Sequence, residues 1–488
     1  MLDLLPEDLF RSPDTTFLDP VCKSGVFPRE IARRLNEGLK DQMPDDQARV
    51  NHILTQQVFG LATTELTSLI SRRSVYCSKK ADGKYSIATD FTRADGNIRL
   101  PKARHTWTTG GRCKFCGASQ SEYDRDESLE EYAYPFIHGI DPGKVFDVKF
   151  DVIVGNPPYQ LSDGGFGRSA SPIYHQFVMQ AKKLEPRYLT MVIPSRWFAG
   201  GRGLDEFRES MLADDRLRSI DDFLSASDVF PGVGLKGGVC YFVWDRDNPG
   251  PCRVSTHFKD WPVSTDIRPL REKGVGVFIR FNEGISILNK VRAVESKATQ
   301  SWSLPEDKRF DCMVSSLRPF GIRTYFRGKA EKTSDDLVVY QNGGKGYIPR
   351  NSISIGVELI DKWKIYVGRA APGTGNKDTY PHRVISTPFI GEPGSISSET
   401  YLCIGPFATK DQAENALSYL FCRLTRFLIL LHKPAQDTTR KVYTFVPTQD
   451  FDQPWTDEKL YKKYGLTQDE IDFIEKIVRP MGEEEPRG

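Results

Sequence analysis

Asn156-Pro157-Pro158-Tyr159 sets an amide, two prolines and a phenol ring in four consecutive positions, directly after the apolar run Val152-Ile153-Val154 and Gly155. The two prolines fix φ and remove two N–H donors, so the backbone there offers only carbonyl acceptors. An amide side chain, an acceptor-only backbone and an aromatic ring together are well suited to holding a flat base that carries an exocyclic amine. A proline-stiffened turn without a ligand is the plain alternative. A second constellation is Cys113-Lys114-Phe115-Cys116-Gly117. Cys-x-x-Cys-Gly is half of a zinc knuckle, and a tetrahedral site needs two more ligands. Cys77 and His105 are the nearest candidates, and a structural zinc is the expected occupant. A redox dithiol lacks the surrounding strand–Cys-x-x-Cys–helix pattern. Two ordinary thiols in a turn remain the other reading.

The elements that must position these residues can be read next. Val152 to Val154 is a short buried strand that delivers a rigid polar loop at its carboxyl end, where open α/β sheets place their ligands. Upstream, Thr15 to Phe27 reads as strand, tight small-residue turn and the start of a helix. That helix, about Pro28 to Leu39, carries Ile31, Ala32 and Leu35 at helical spacing with charged residues on the other face. Gly25 in the turn lets a ligand approach the backbone near the positive end of the helix dipole. One glycine is not by itself a phosphate-binding fingerprint.

Asp19-Pro20-Val21-Cys22-Lys23-Ser24-Gly25 followed by Asn156-Pro157-Pro158-Tyr159 resembles the S-adenosylmethionine-dependent amino-methyltransferases of restriction–modification systems. Among them it is most similar to the N6-adenine-specific DNA methyltransferases in which the cofactor motif precedes the catalytic motif, the gamma order. The resemblance covers about residues 12–250. It implies a Rossmann-like α/β methyltransferase domain and a carboxyl-terminal α+β target-recognition region, and the Cys-x-x-Cys-Gly spacing adds a zinc-knuckle-like insertion within the first. It implies that Asn156, Pro157, Pro158 and Tyr159 are catalytic, the first two accepting hydrogen bonds from the amine and Tyr159 stacking on a base swung out of the duplex. It further implies that Asp19, Lys23, Gly25, Glu65 and Phe136 hold S-adenosylmethionine. Two departures stand out. The family has glycine where this chain has Lys23, which either reaches the methionine carboxylate or is a solvated loop lysine. At the end of the second strand, Val58 to Leu61, Ala62 occupies the place of the ribose-binding acid, and Glu65 is the substitute. A third strand is expected over Tyr132 to Ile137, with Phe136 as a wall of the adenine pocket. The loop has no cysteine, which counts against a cytosine-C5 enzyme, and asparagine before Pro-Pro-Tyr favours adenine over cytosine-N4.

Tyr188 to Ser195 and Val239 to Trp244 read as further buried strands, and in the resembled family Ser195, Arg196, Trp197 and Lys236 become candidate DNA contacts. The expected division is a catalytic domain over 1–255 with the insertion at about 78–131, a target-recognition region over 256–450, and a helical element over 451–488. Helices are expected within Asp411 to Leu431. Asn342 to Tyr347 and Arg369 to Lys377 are candidate loops for contacting phosphates.

Composition sets the outer limits. The chain has 488 residues, 39% hydrophobic and 27% charged, which leaves room for two or three domains and a sizeable core. Net charge is only +2, so the chain as a whole is no basic nucleic-acid binder. Residues 301–450 carry 20 Lys/Arg against 15 Asp/Glu, and 451–488 carry 6 against 10, a basic stretch followed by an acidic one. Nine cysteines without pairing spacing suit a reducing, cytoplasmic setting. No apolar run reaches membrane length; Phe427 to Leu431 reads as a piece of buried helix. Double-stranded DNA and a restriction or specificity subunit are the expected partners. The alternatives are a combined methylase and restriction endonuclease, or a methyltransferase acting on RNA or protein glutamine. The cofactor motif begins within twenty residues of the first, which argues against an amino-terminal nuclease domain in this chain.

Overall fold

The computed structural model describes all residues except 125–132, 162–170, 202, 234, 236, 260, 273–274, 297–303, 371–379, 434–437 and 483–488. Lys236, most of the Arg369–Lys377 loop, Tyr132 and the closing acidic run therefore lie outside the described residues. The chain forms two compact units: residues 1–222, 239–255 and 265–270, and residues 223–238, 256–264 and 271–488.

The first unit is built on a sheet of nine strands: β1 Phe17–Cys22, β2 Val58–Ala62, β3 Ile98–Arg99, β4 Val152–Gly155, β5 Tyr188–Pro194, β6 Leu217–Phe223, β7 Val239–Asp245, β8 Cys252–His257 and β9 Ser264–Arg268. Their spatial order is β3-β2-β1-β4-β5-β7-β6-β8-β9. β3, β2, β1, β4 and β5 run parallel, and β7 is antiparallel to β5. Every residue of β1, β2, β4 and β5 is buried, the pattern of parallel strands covered on both faces. The helices are α1 Val26–Gly38, α2 Asp46–His52, α3 Glu65–Tyr76, α4 Gln120–Tyr123, α5 Pro142–Phe146, α6 Tyr174–Lys183 and α7 Asp205–Leu212. α1 starts two residues before Pro28, which sits in the first turn, where a missing N–H has no helical partner to lose. Ile31 and Leu35, four apart, are buried on one face.

The expected third strand is not one. Pro135–Ile137 is a 3₁₀ turn opened by Pro135, and the strand beyond β2 is β3, inside the segment read as an insertion. Two residues are too few to show period-two alternation, so no pattern announced it. What makes β3 part of the sheet is Asn97. Its side-chain amide donates to the Leu54 and Thr55 carbonyls (3.0 and 2.8 Å), and its own carbonyl accepts from Gly60 N (2.9 Å). Ala81, Ala88 and Ile98 join the core under β1 and β2, so residues 78–99 belong to the sheet's edge.

At the amino ends of the two central strands, Asp151 Oδ2 accepts from Thr16 N (3.0 Å) and Thr16 Oγ1 (2.9 Å). This clasp fixes the register in which Phe17 faces Val152 and Leu18 faces Ile153.

The second unit holds two three-stranded sheets. In one, β10 Asp336–Gln341 lies between β11 Gly344–Pro349 and β14 Ser395–Ser397; in the other, β12 Trp363–Gly368 lies between β13 Phe389–Gly391 and β15 Tyr401–Phe407. Its helices are α8 Asn282–Glu295, α9 Lys410–Phe421, α10 Arg423–His432, α11 Asp457–Tyr464 and α12 Gln468–Ile477. The helical pattern over 411–431 is two helices broken at Cys422, whose backbone is extended. Leu460, Tyr464, Ile474 and Ile477 share one core with Ile365, Ile404 and Phe427. The helices over 457–477 thus share this unit's core.

Asn97→Ala is expected to cost roughly 2 kcal/mol, because the buried Leu54 carbonyl and the half-buried Thr55 carbonyl lose their donor. Urea unfolding monitored by circular dichroism measures it; a cost under about 0.5 kcal/mol would mean the β3 edge stands without this anchor.

Candidate functional site

β1 pairs with β2 on one side and with β4 on the other, all parallel. The sheet therefore grows in opposite senses from this pair, and a crevice opens at the carboxyl ends, the ligand position of open α/β sheets. The two strand ends meet closely there. A Cβ added at Gly155 would lie 3.2 Å from Val21 Cγ2, 3.5 Å from Pro20 Cδ and 3.7 Å from Asp19 Oδ1. The turn after β1 and the loop after β4 thus share one rim.

Asn156 is half-buried, and Pro157 is buried. Among the described residues neither the Asn156 amide nor the Pro157 carbonyl has a hydrogen-bond partner. Beyond them the loop is stapled. Ile173 N donates to Tyr159 O (3.2 Å), Leu161 N donates to Ser171 O (3.1 Å), and Gln160 bridges Pro172. The Tyr159 hydroxyl is buried without a partner among the described residues. Burial, with a smaller contribution from Cys240, pushes this phenol well above its ordinary value, so it stays neutral.

On the β1 side, Asp19 is 4% exposed and its Oδ1 accepts from Val21 N (3.0 Å). Burial pushes its carboxyl up to about 7, against the opposing pull of Val21 N–H and Lys23. Lys23 is exposed at the rim. Its carbonyl accepts from Ser71 Oγ (3.0 Å), and Cys22 Sγ donates to the same Ser71 oxygen (3.2 Å). Gly25 caps α1 at φ +73°, and a Cβ there would stand 3.0 Å from Ser71 Cα and O. The glycine is thus required by backbone conformation and by the pass of α3, a packing reason that the sequence reading did not include. Glu65 is the first residue of α3, exposed, just past the carboxyl end of β2.

Phe136 departs from expectation. It is fully buried and stacks on Phe177 of α6 at 6.1 Å, and Tyr134 meets the same ring edge-on at 5.7 Å. It is core under α6, with no surface free for a cofactor. Of the expected DNA contacts, Ser195 is buried and donates to Asp222 Oδ1 (2.7 Å), and Trp197 is fully buried. Arg196 is half-buried.

The cysteine constellation is assembled with one change. His105, Cys113, Cys116 and His138 bring their ligand atoms within 4.8 Å of one another. Cys77 is exposed in the left-handed C-cap of α3 and takes no part. Its nearness in sequence to Cys113 does not translate into space, because residues 78–99 turn back to form the sheet edge. His138, the fourth member of the cluster, is one of only seven histidines in the chain, and that scarcity was the available signal.

A family model described as Eco57I restriction-modification methylase matches residues 56–230, a span that includes β2 to β6 and the Asn156–Tyr159 loop. An "Uncharacterized adenine-specific methylase" of Mycoplasma pneumoniae (strain ATCC 29342 / M129 / Subtype 1) is 36% identical over 293 residues, covering 55% of this chain and 69% of that protein. The chain belongs to this family of adenine-specific methylases. Solved structures are more distant. A nuclease-deletion mutant of the Type ISP restriction-modification enzyme LlaGI in complex with a DNA substrate mimic is 12% identical, with a TM-score of 0.45 over 87% of this chain. A DrdV–DNA complex is also 12% identical, with a TM-score of 0.43 over 91%. This chain spans 43% and 53% of those two proteins. No helix among the described residues is long and apolar enough to cross a membrane.

Asp19 gives a pH prediction. Its folded value of about 7 lies above the ordinary carboxyl value of 3.8. Between the two the unfolded chain binds fewer protons, so stability falls as pH rises from about 4 to 7 and levels off above. The shift corresponds to about 4 kcal/mol. Asp19→Asn is expected to melt higher than wild type at pH 8 and alike near pH 4. Thermal melts across that range test it, and parallel pH curves for the two proteins would refute it.

Proposed function

We propose that the chain transfers a methyl group from S-adenosylmethionine to the N6 amine of an adenine flipped out of double-stranded DNA, in a restriction–modification or phage-defence setting. The observation that carries this reading is the pair of unpartnered acceptors, Asn156 and the Pro157 carbonyl, beside Asp19 at the point where the sheet reverses direction. An exocyclic amine carries two N–H groups and is a poor nucleophile while its lone pair is delocalised into the ring. Asn156 Oδ1 and Pro157 O accept hydrogen bonds from those two N–H groups, draw the nitrogen towards tetrahedral geometry and free its lone pair for in-line attack, after which the sulfur would leave as a thioether and the methylated amine would lose one proton to solvent. The gain is positional and electrostatic. Pro158 keeps the loop rigid, and the Tyr159 ring stacks on the base.

The residues on the β1 side fit the cofactor. Asp19 presents a carboxylate to the methionine amino group, and the turn through Lys23 to Gly25 lies against that moiety. Glu65 reaches the ribose hydroxyls from beyond β2. When bound, the cofactor supplies an electrophilic methyl group. A positive amino group beside Asp19 favours the ionised acid, so cofactor affinity rises with pH through about 7. The order of the motifs is the gamma order. The second unit supplies target recognition, a role supported by its net basic stretch over 301–450. A restriction or specificity subunit is the partner this reading implies, and a structural zinc in the first unit belongs to it as well.

Transfer of labelled methyl to mixed-sequence duplex DNA, followed by digestion to nucleosides, is the test. Wild type is expected to place label in N6-methyladenine. Asn156→Ala is expected to lose roughly 10²–10³-fold or more in kcat, with cofactor binding retained. Cofactor binding without transfer to DNA would overturn the DNA reading in favour of RNA or protein substrates. No cofactor binding would overturn the methyltransferase reading.

A further inference from the structure

Four side chains from two separate segments, His105, Cys113, Cys116 and His138, converge. Residues 105–123 form a small hairpin-like knuckle. Trp107 bridges Cys113 and Arg112 bridges Ser119, both antiparallel. Gly117 follows Cys116 at φ +74°, and its N–H donates to Cys113 O (2.9 Å). This turn points both thiols the same way. Cys113 and Cys116 are buried, 4% and 3% exposed. The second segment is Tyr134 to Ile140, which contributes His138.

The distances have the dimensions of a coordination sphere. Cys113 Sγ lies 3.7 Å from His138 Nε2, and Cys116 Sγ lies 3.5 Å from His105 Nδ1. A tetrahedral zinc with bonds of about 2.3 Å to sulfur and about 2.0–2.1 Å to nitrogen sets S and N about 3.6 Å apart. The tautomer of one ligand is also fixed. His138 Nδ1–H donates to Tyr134 O (2.8 Å), which leaves the Nε2 lone pair facing Cys113. The other imidazole is braced by rings: His105 stacks on Trp107 at 4.9 Å and meets Tyr123 edge-on at 5.7 Å.

Resting on the expectation of a zinc ion in this region, we propose that His105, Cys113, Cys116 and His138 hold one zinc ion that ties the knuckle to the turn beneath α6. The tie has a mechanical path. His138 is two residues from Phe136, and Tyr134 and Phe136 both pack on Phe177 of α6. Ile173, at the start of α6, donates to Tyr159 O and closes the loop that carries Asn156. The zinc therefore braces the shoulder of the catalytic loop from below, in a region whose apolar content is too small for a core of its own.

The full-length protein, purified from zinc-supplemented cells, is expected to carry about one zinc per chain. X-ray absorption of the wild type is expected to show two sulfur and two nitrogen ligands. Cys77→Ser is expected to keep the zinc, and His138→Ala to lose it. Absence of zinc from the wild type, with no thiolate-to-cobalt band on adding Co²⁺ to the metal-free protein, would overturn the site. Three sulfurs, or zinc lost in Cys77→Ser, would overturn the ligand set. Hydrogen exchange of the wild type before and after chelation tests the tie. Deprotection is expected over 134–140 and the start of α6 as well as 105–123, and deprotection confined to 105–123 would overturn it. None of these readouts uses methyl transfer, so they stand apart from the catalytic reading.

Discussion

The clasp between Thr16 and Asp151 is small, yet the candidate site depends on it. Two residues separated by 135 positions exchange side-chain and backbone hydrogen bonds at the amino ends of β1 and β4: Asp151 Oδ2 accepts twice from Thr16, and Asp151 N donates back to Thr16 Oγ1 at 3.0 Å. In a strand, a one-residue slip turns every side chain to the opposite face. Such a slip here would move Asp19 off the rim and separate it from the Asn156 loop. The clasp therefore converts a sequence separation that carries no local information into a shared rim. Gly155 completes the approach by leaving out the side chain that would press on Val21.

That rim is a place where the fold gives up stability. Asp19 is held in a buried position with one strong donor, Val21 N–H, and its raised value records the cost. Half-buried Asn156 and the Pro157 carbonyl have no partners among the described residues, where most buried polar groups find one. The offset lies in the ordinary core around β1, where Phe17, Leu35, Val58 and Val152 are all 1% exposed or less. In the proposed reading, the Asn156 and Pro157 acceptors suit the two N–H groups of an exocyclic amine, and Asp19 suits an amino group.

How much of this was legible in the sequence depended on whether the signal was local. β4 and its loop could be read because four buried apolar-type residues end at two prolines, a pattern complete within one stretch of chain. The β1 turn and α1 were legible for the same reason. β3 was not, because two residues carry no period and its membership in the sheet comes from Asn97 reaching back to Leu54 and Thr55. Phe136 was misread because an aromatic next to a proline says nothing about which side of the sheet it faces; α6 claims it. His138 was missed because its place in the cluster is set by nearness in space, and the expected cysteine, Cys77, is exposed at a helix end. The helices after 451 looked like a separate acidic element because their charged faces dominate the composition, whereas Leu460, Ile474 and Ile477 join the second unit's core.

The loop itself explains why the misplaced Phe136 still matters. An acceptor pair works only if its geometry is set before the substrate arrives, since ordering it on binding would draw on the same free energy that positions the amine. Pro157 and Pro158 supply half of that order through fixed φ. The other half comes from the far end, where Tyr159 O is held by Ile173 N at the head of α6. α6 is itself fixed by Phe177, wedged between Tyr134 and Phe136. A residue expected to touch the cofactor thus acts through packing, and the Asn156 loop is held in place through the contacts that Phe177 of α6 makes with Tyr134 and Phe136.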